Sequence, residues 1–243
     1  MNNGTGFFSA APGRLDLLGG VIDYSGGTTL QWPIEEQTQC HVTLTEEVQV
    51  QVYVRSETRH FGITWLQLKQ LLESQGLVGL RSLFQPEQSW ALYVVGCLAV
   101  LFLDYAWQPE HSLHILIQSK VPESKGVSSS AALEVAVMSA FTKYYKIKMD
   151  GLTLSLLCQK VENIAVGVPC GIMDQISTAC SPAHHLLPVT CQPAGLLAPL
   201  ALPPHLGILG VDSGERHSVG ASPYGRARCA AFMAKAWINQ RLH

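Results

Sequence analysis

The stretch KVPESKGVSSSAALEVAVMSAF, residues 120–141, constrains this chain more than any other part of it. A loop with one glycine and three consecutive serines runs directly into a helix of small and apolar residues. Such a junction gathers free backbone N–H groups and the positive end of a helix dipole at one point, where a phosphate can sit. No Gly-Lys-Ser/Thr follows the loop, so it is not a Walker loop. The G-x-G-x-x-G spacing is absent, so it is not a dinucleotide fingerprint. The expectation is a phosphate cradle of another type, with Ser128 or Ser129 as N-cap and a helix running to about Tyr145.

The rest of the chain reads as α+β. Short strands are predicted at Phe7–Ala11, ending at Pro12-Gly13, and at Thr28–Ile34. Val48, Val50, Val52 and Val54 alternate with polar residues, as in a half-buried strand. Val42–Thr45 before them suggests a hairpin through Glu46-Glu47. Residues 64–75 pattern as a helix, and residues 113–118 as a strand. A helix from Leu152 should stop at Gly167, and a short one should carry Met173, Asp174 and Gln175. Strands at Val189–Cys191 and Ile208–Val211 flank residues 192–207, a proline- and glycine-rich stretch read as a linker. A last helix begins near Tyr224. Strands come early and helices later, which favours α+β over a regular β-α-β repeat.

Composition closes off several classes. The chain has 243 residues and a formal net charge of -2, with no basic excess, so nucleic acid and acidic membrane surfaces are not expected partners. Trp90–Leu103 is apolar throughout but shorter than the roughly 20 residues a bilayer needs, and reads as a buried core helix. Seven cysteines, with no C-x-x-C pair, read as reduced, buried residues of a cytoplasmic protein. The N-terminus shows no secretory signal. Charged residues are only 14% of the chain, which suggests surface covered by something beyond it.

Three further clusters hold residues that could do chemistry. Residues 11–27 (APGRLDLLGGVIDYSGG) place Arg14 after a Pro-Gly turn and Asp23 in a glycine-studded loop. Alone, these read as a turn with a structural ion pair. Residues 160–175 (KVENIAVGVPCGIMDQ) place Glu162 in an apolar helix and Asp174 at the start of another. There a carboxylate serves as a base or, more simply, as a helix cap. Residues 211–225 hold Asp212, Arg216, His217 and Tyr224 in a polar loop.

Together and in this order, APGRLDLLGG-x-x-DYSGG, VPESKGVSSSAALEVA and VENIAVGVPCGIMDQ resemble the GHMP kinases, in their sugar 1-kinase branch of arabinokinase- and galactokinase-like proteins. The resemblance runs from about Ser9 to Phe232. It implies a GHMP-kinase N-terminal domain of the ribosomal protein S5 domain 2 type over residues 1–205. Residues 206–243 would begin a ferredoxin-like C-terminal domain that the sequence does not complete. The implied cofactors are ATP and Mg2+, and the implied partner is a monosaccharide, L-arabinose or galactose. A separately encoded C-terminal half is a further partner it raises.

The roles it implies are specific. Asp174 would take the proton from the anomeric hydroxyl, and Arg14 would assist phosphoryl transfer. Asp23, Gly171 and Tyr224 would bind the sugar. Lys125, Gly126, Val127, Ser128, Ser129 and Ser130 would cradle the nucleotide, and Ser130 and Glu162 would hold magnesium. Galactokinases carry Glu-His where this chain has Gly20 and Val21, which shifts the expected sugar toward arabinose. The alternatives are galactokinase activity, or a remnant that binds sugar or nucleotide without turnover.

Overall fold

A computed structural model describes residues 6–20, 22–214 and 223–242. The architecture is α+β: a mixed sheet carries a layer of helices. Strand β2 (Thr28–Thr45) is its spine and pairs antiparallel with β1 (Gly6–Leu18) along nearly its whole length. On its other edge, β2 pairs with β6 (His185–Cys191) through residues 28–31 and with β5 (Ser112–Ser119) through residues 38–45. Pro33 falls in the gap between those two partners, where its missing N–H leaves no ladder bond unmade. The order continues from β5 to β3 (Gln51–Arg55) and β4 (His60–Thr64), and from β6 to β7 (Ala194–Leu196) and β8 (Leu200–Ala201).

Several expectations about strands are corrected. β1 does not stop at Pro12-Gly13; it runs on to Leu18 with a register shift between Pro12 and Arg14. The strands foreseen at Thr28–Ile34 and Val42–Thr45 are one strand. The alternating valines do form a strand, with Val52 and Val54 fully buried, but Val48 is exposed and outside it. That strand makes no hairpin with Val42–Thr45, because β5 lies between them and pairs parallel with β3. Its hairpin partner is β4, which the pattern did not suggest. Residues 208–211 are not a strand, and the stretch read as a linker supplies β7 and β8 to the edge beside β6.

The helices follow the pattern more closely. The α1 turn (Ile22–Ser25) sits between β1 and β2. Helix α2 (Trp65–Gly79) is opened by a capping box in which Thr64 and Gln67 satisfy each other's backbone N–H groups. Helix α3 (Ser89–Tyr105) is the apolar run, and residues 94–101 except Gly96 are 0% exposed as side chains of the core. Together with the turn before it, residues 86–105 are long and apolar enough for a membrane span, and the burial of α3 identifies it as a core helix. Helix α4 (Ser129–Tyr144) packs on β1, β2 and α3. Helix α5 (Gly151–Lys160) passes into a π-helical turn, Val161–Val166, which stops at Gly167 in the left-handed region (φ 86°). Helices α6 (Met173–Cys180) and α7 (Pro223–Leu242) complete the chain in this order. The seven cysteines are free; Cys180 is half-buried, and Cys229 is exposed, contrary to the expected burial.

Candidate functional site

The Pro12-Gly13 step brings the serine loop against β1. A side chain on Gly13 would collide with the Val127 carbonyl, Val121 and Ile34, so only glycine lets the loop lie this close. The Arg14 amide then donates to the Val127 carbonyl at 3.1 Å. The Arg14 side chain is buried and divides its donors between two elements. Nη1 donates to the Gly126 carbonyl at 2.6 Å, while Nε and Nη2 donate to Asp174 Oδ1 at 3.1 and 2.5 Å. One guanidinium thereby ties the first motif, the serine loop and the start of α6 together, a task suited to its fixed fork of donors.

Asp23 approaches α6 from the other side. Its Oδ1 accepts the Ile172 and Met173 amides at 3.0 and 3.3 Å, satisfying N–H groups at the α6 N-terminus. Burial pushes its carboxyl up to about 6, and the charge of Asp174 pushes the same way, while the Ile172 and Met173 N–H groups pull it back. Asp23, Gly171, Ile172, Gln159, Gln192 and Phe232 line a hollow of about 300 Å³.

The serine loop reaches α4 through Gly126 (φ 71°) and Ser128 (φ 59°), both left-handed. Ser128 occupies the N-cap position, but its hydroxyl caps nothing: it is buried without a partner among the described residues. Ser129 and Ser130 open α4 and line a second cavity of about 460 Å³, with Trp90, Tyr93, Arg59 and Thr38. Ser130 lies close enough to the Glu162 carboxylate on the π-helical turn for its hydroxyl to lower the carboxyl's proton affinity. Burial lifts Glu162 to about 7, the Asp174 charge adds to this, and hydrogen bonds from Ser130, Cys170 and Gln175 oppose it. Lys125 lies at the rim, paired with Asp212 at 2.8 Å.

Residues 93–181 match the GHMP kinases N terminal domain, and residues 2–43 match the galactokinase galactose-binding signature. This chain carries a GHMP kinase N-terminal domain. L-arabinokinase of Arabidopsis thaliana is 37% identical over 96% of the chain, which spans 25% of that protein. Galactokinase of Roseiflexus sp. (strain RS-1) is 32% identical over 90% of the chain, which spans 51% of it. The chain therefore spans about a quarter to a half of these curated relatives. Among solved structures, Lactococcus lactis galactokinase complexed with galactose superposes with a TM-score of 0.67 at 23% identity, covering 83% of this chain and 48% of that one. Methanococcus jannaschii mevalonate kinase superposes at 0.61 and 17% identity, covering 77% and 54%. At these identities the likeness establishes the GHMP kinase fold.

Within this domain Arg14, Asp23, Gly126, Gly171 and Asp174 converge, and Ser130 and Glu162 meet beside the larger cavity. Tyr224 falls in the first turn of α7, but its side chain lies outside the described part of the structure, as do Val21, Arg216 and His217. Two buried polar residues escaped the sequence reading: Glu134 on α4 and Gln175 on α6, both 0% exposed. The one available signal for Glu134 was a lone carboxylate in the apolar run AALEVAV.

Proposed function

We propose that this chain supplies the sugar site and most of the Mg-ATP site of a sugar 1-kinase that phosphorylates the anomeric hydroxyl of a monosaccharide, with L-arabinose as the preferred sugar. The observation that carries this reading is the Arg14 guanidinium, shared between the serine loop and Asp174. A phosphate held by residues 125–130 and a hydroxyl facing Asp174 would both lie beside that cation.

The roles follow from the chemistry of phosphoryl transfer, which needs positioning and charge neutralisation more than covalent intermediates. Asp174 accepts the proton of the attacking hydroxyl. Arg14 holds that carboxylate in place and stabilises charge developing on the transferred group. Asp23 accepts a sugar hydroxyl beside Gly171, and Tyr224 is assigned a sugar contact from the family resemblance alone. Lys125, Gly126, Val127, Ser128, Ser129 and Ser130 hold the nucleotide phosphates at the start of α4. Ser130 and Glu162 would hold Mg2+, and they fit it: an adjacent hydroxyl and carboxylate are hard oxygen donors. Among the described residues no cluster of three His, Cys, Asp or Glu offers an alternative cage, and Mg2+ usually keeps waters and phosphate oxygens as its other ligands. Bound there, Mg2+ would neutralise charge on the phosphate oxygens.

The preference for arabinose rests on the first motif. Gly20 brings no side chain to the loop ahead of Asp23, so a hexose loses a partner for its extra hydroxymethyl group. The matched galactose-binding signature over residues 2–43 favours galactose as the second reading. The test is ATP turnover with L-arabinose and with galactose, the product identified by phosphorus NMR as the sugar 1-phosphate. A higher kcat/KM for L-arabinose supports the first reading; preference for galactose supports the second. Sugar and nucleotide binding by calorimetry with no turnover of either sugar would identify a binding protein.

A further inference from the structure

Behind Glu162 lies a polar pair for which phosphoryl transfer has no evident use. Glu134 sits one turn beyond Ser130 on α4, with no solvent exposure. Gln175 follows Asp174 on α6 and is equally buried. The Gln175 amide nitrogen donates to Glu162 Oε2 at 2.8 Å and lies 3.4 Å from Glu134 Oε2. Neighbouring positions of the same helix, Ala131, Val135, Val137 and Met138, are buried apolar residues. A carboxyl group placed there costs free energy that leucine or methionine would not, so stability does not account for it.

Geometry does account for it. A glutamine amide can be turned either way round, and its two ends have opposite polarity. Its nitrogen end faces carboxyl oxygens on two sides, from Glu134 and Glu162. The amide is thereby held in one orientation, with its N–H aimed at Glu162. Gln175 also shares its turn of helix with Asp174, whose position Arg14 sets. One step of α6 therefore aligns both carboxylates of the site.

We propose that Glu134 and Gln175 are positioning residues for the metal-holding carboxylate: Glu134 locks the Gln175 amide, and Gln175 holds Glu162 in the rotamer that receives Mg2+. This rests on the reading of Glu162 as a magnesium ligand. Partners that orient a ligand from behind typically change metal affinity by about 10- to 100-fold when removed.

The experiment measures ADP binding by calorimetry with Mg2+ and with EDTA, together with melting temperature in EDTA. In the wild type, Mg2+ should tighten ADP binding, and Glu162→Gln should remove that gain. Gln175→Met and Glu134→Leu keep the packing volume and remove the polar link. Each should reduce the Mg2+ gain by about 10-fold or more and leave affinity in EDTA unchanged. Glu134→Gln retains an acceptor oxygen for the Gln175 amide and should recover most of the gain. Should the apolar variants not fold, Gln175→Asn keeps an amide but is one methylene too short to reach Glu162, and the same loss is expected. An unchanged Mg2+ gain in a folded Gln175 or Glu134→Leu variant overturns the proposal. No Mg2+ gain in the wild type, or a gain indifferent to Glu162→Gln, overturns the metal role of Glu162 and this inference with it.

Discussion

The Asp23 carboxylate occupies the space that a side chain on Gly171 would fill. A Cβ built on Gly171 overlaps both Asp23 carboxylate oxygens, while Asp23 Oδ1 holds the next two amides of the chain. Glycine at 171 is therefore required by contact, with no backbone angle forcing it. Gly171→Ala should expel Asp23 from its place and weaken sugar binding at least as much as Asp23→Ala, measured by calorimetry. Sugar affinity unchanged in Gly171→Ala would mean that Asp23 does not face the sugar.

Asp174 and Arg14 make a second testable pair. Asp174→Asn keeps the shape and an acceptor for the Arg14 fork but removes the proton acceptor. A loss of about 10²-fold or more in kcat is expected, the usual scale for a general base. Nucleotide affinity should be largely kept, because the Arg14 bond to the Gly126 carbonyl does not involve Asp174. Near-normal turnover would reduce Asp174 to a helix cap.

Asp23 also predicts a pH dependence with a definite sign. Its carboxyl rises from an ordinary 3.8 to about 6 in the fold, so between those values the native state binds more protons than the unfolded chain. Stability contributed at this position therefore falls as pH rises through the window, and above it a cost of about 3 kcal/mol remains. Asp23→Asn never ionises. The stability difference between variant and wild type, from urea melts, should move in favour of the variant from pH 4 to pH 7. Other titrating groups are common to both proteins and cancel in the difference. A difference constant across that range would refute the raised carboxyl.

The features legible in the sequence were those with a local physical cause. The apolar run at 90–103 had to be buried, and the serine loop had to open a helix. The glycines at 13 and 171 stood in motifs whose order named the family. The long spine strand was not legible, because Pro33 and the acidic pair Glu35-Glu36 interrupt its pattern. It is held together by β1 pairing along it, a fact of tertiary structure. The alternating valines gave a strand but not its neighbour, since period-2 patterning fixes a face and leaves the partner open. Glu134 and Gln175 were missed for a related reason. A buried polar link is set by three elements meeting, and neither helix carries a sign of it alone.

Gly96 gives a last prediction, on how the core sets the site. It lies in α3 against the π-helical turn that carries Glu162; an added Cβ would be 2.6 Å from Val161 Cγ1 and 3.4 Å from Ala165 Cβ. Alanine in a helix gains about 1 kcal/mol over glycine, while overpacking a tight core costs about 1–3 kcal/mol. Here overpacking should prevail, because Val161 is fully buried and its branched side chain is stiff. Gly96→Ala should therefore destabilise the domain by about 1 kcal/mol and displace Glu162, reducing the Mg2+ contribution to ADP binding. Val161→Ala opens the space that the new methyl needs. The double variant should be more stable than the sum of the singles by about 1 kcal/mol, as expected for residues in contact. Strict additivity in urea melts would show that α3 and the π-helical turn are not packed as tightly as this contact requires.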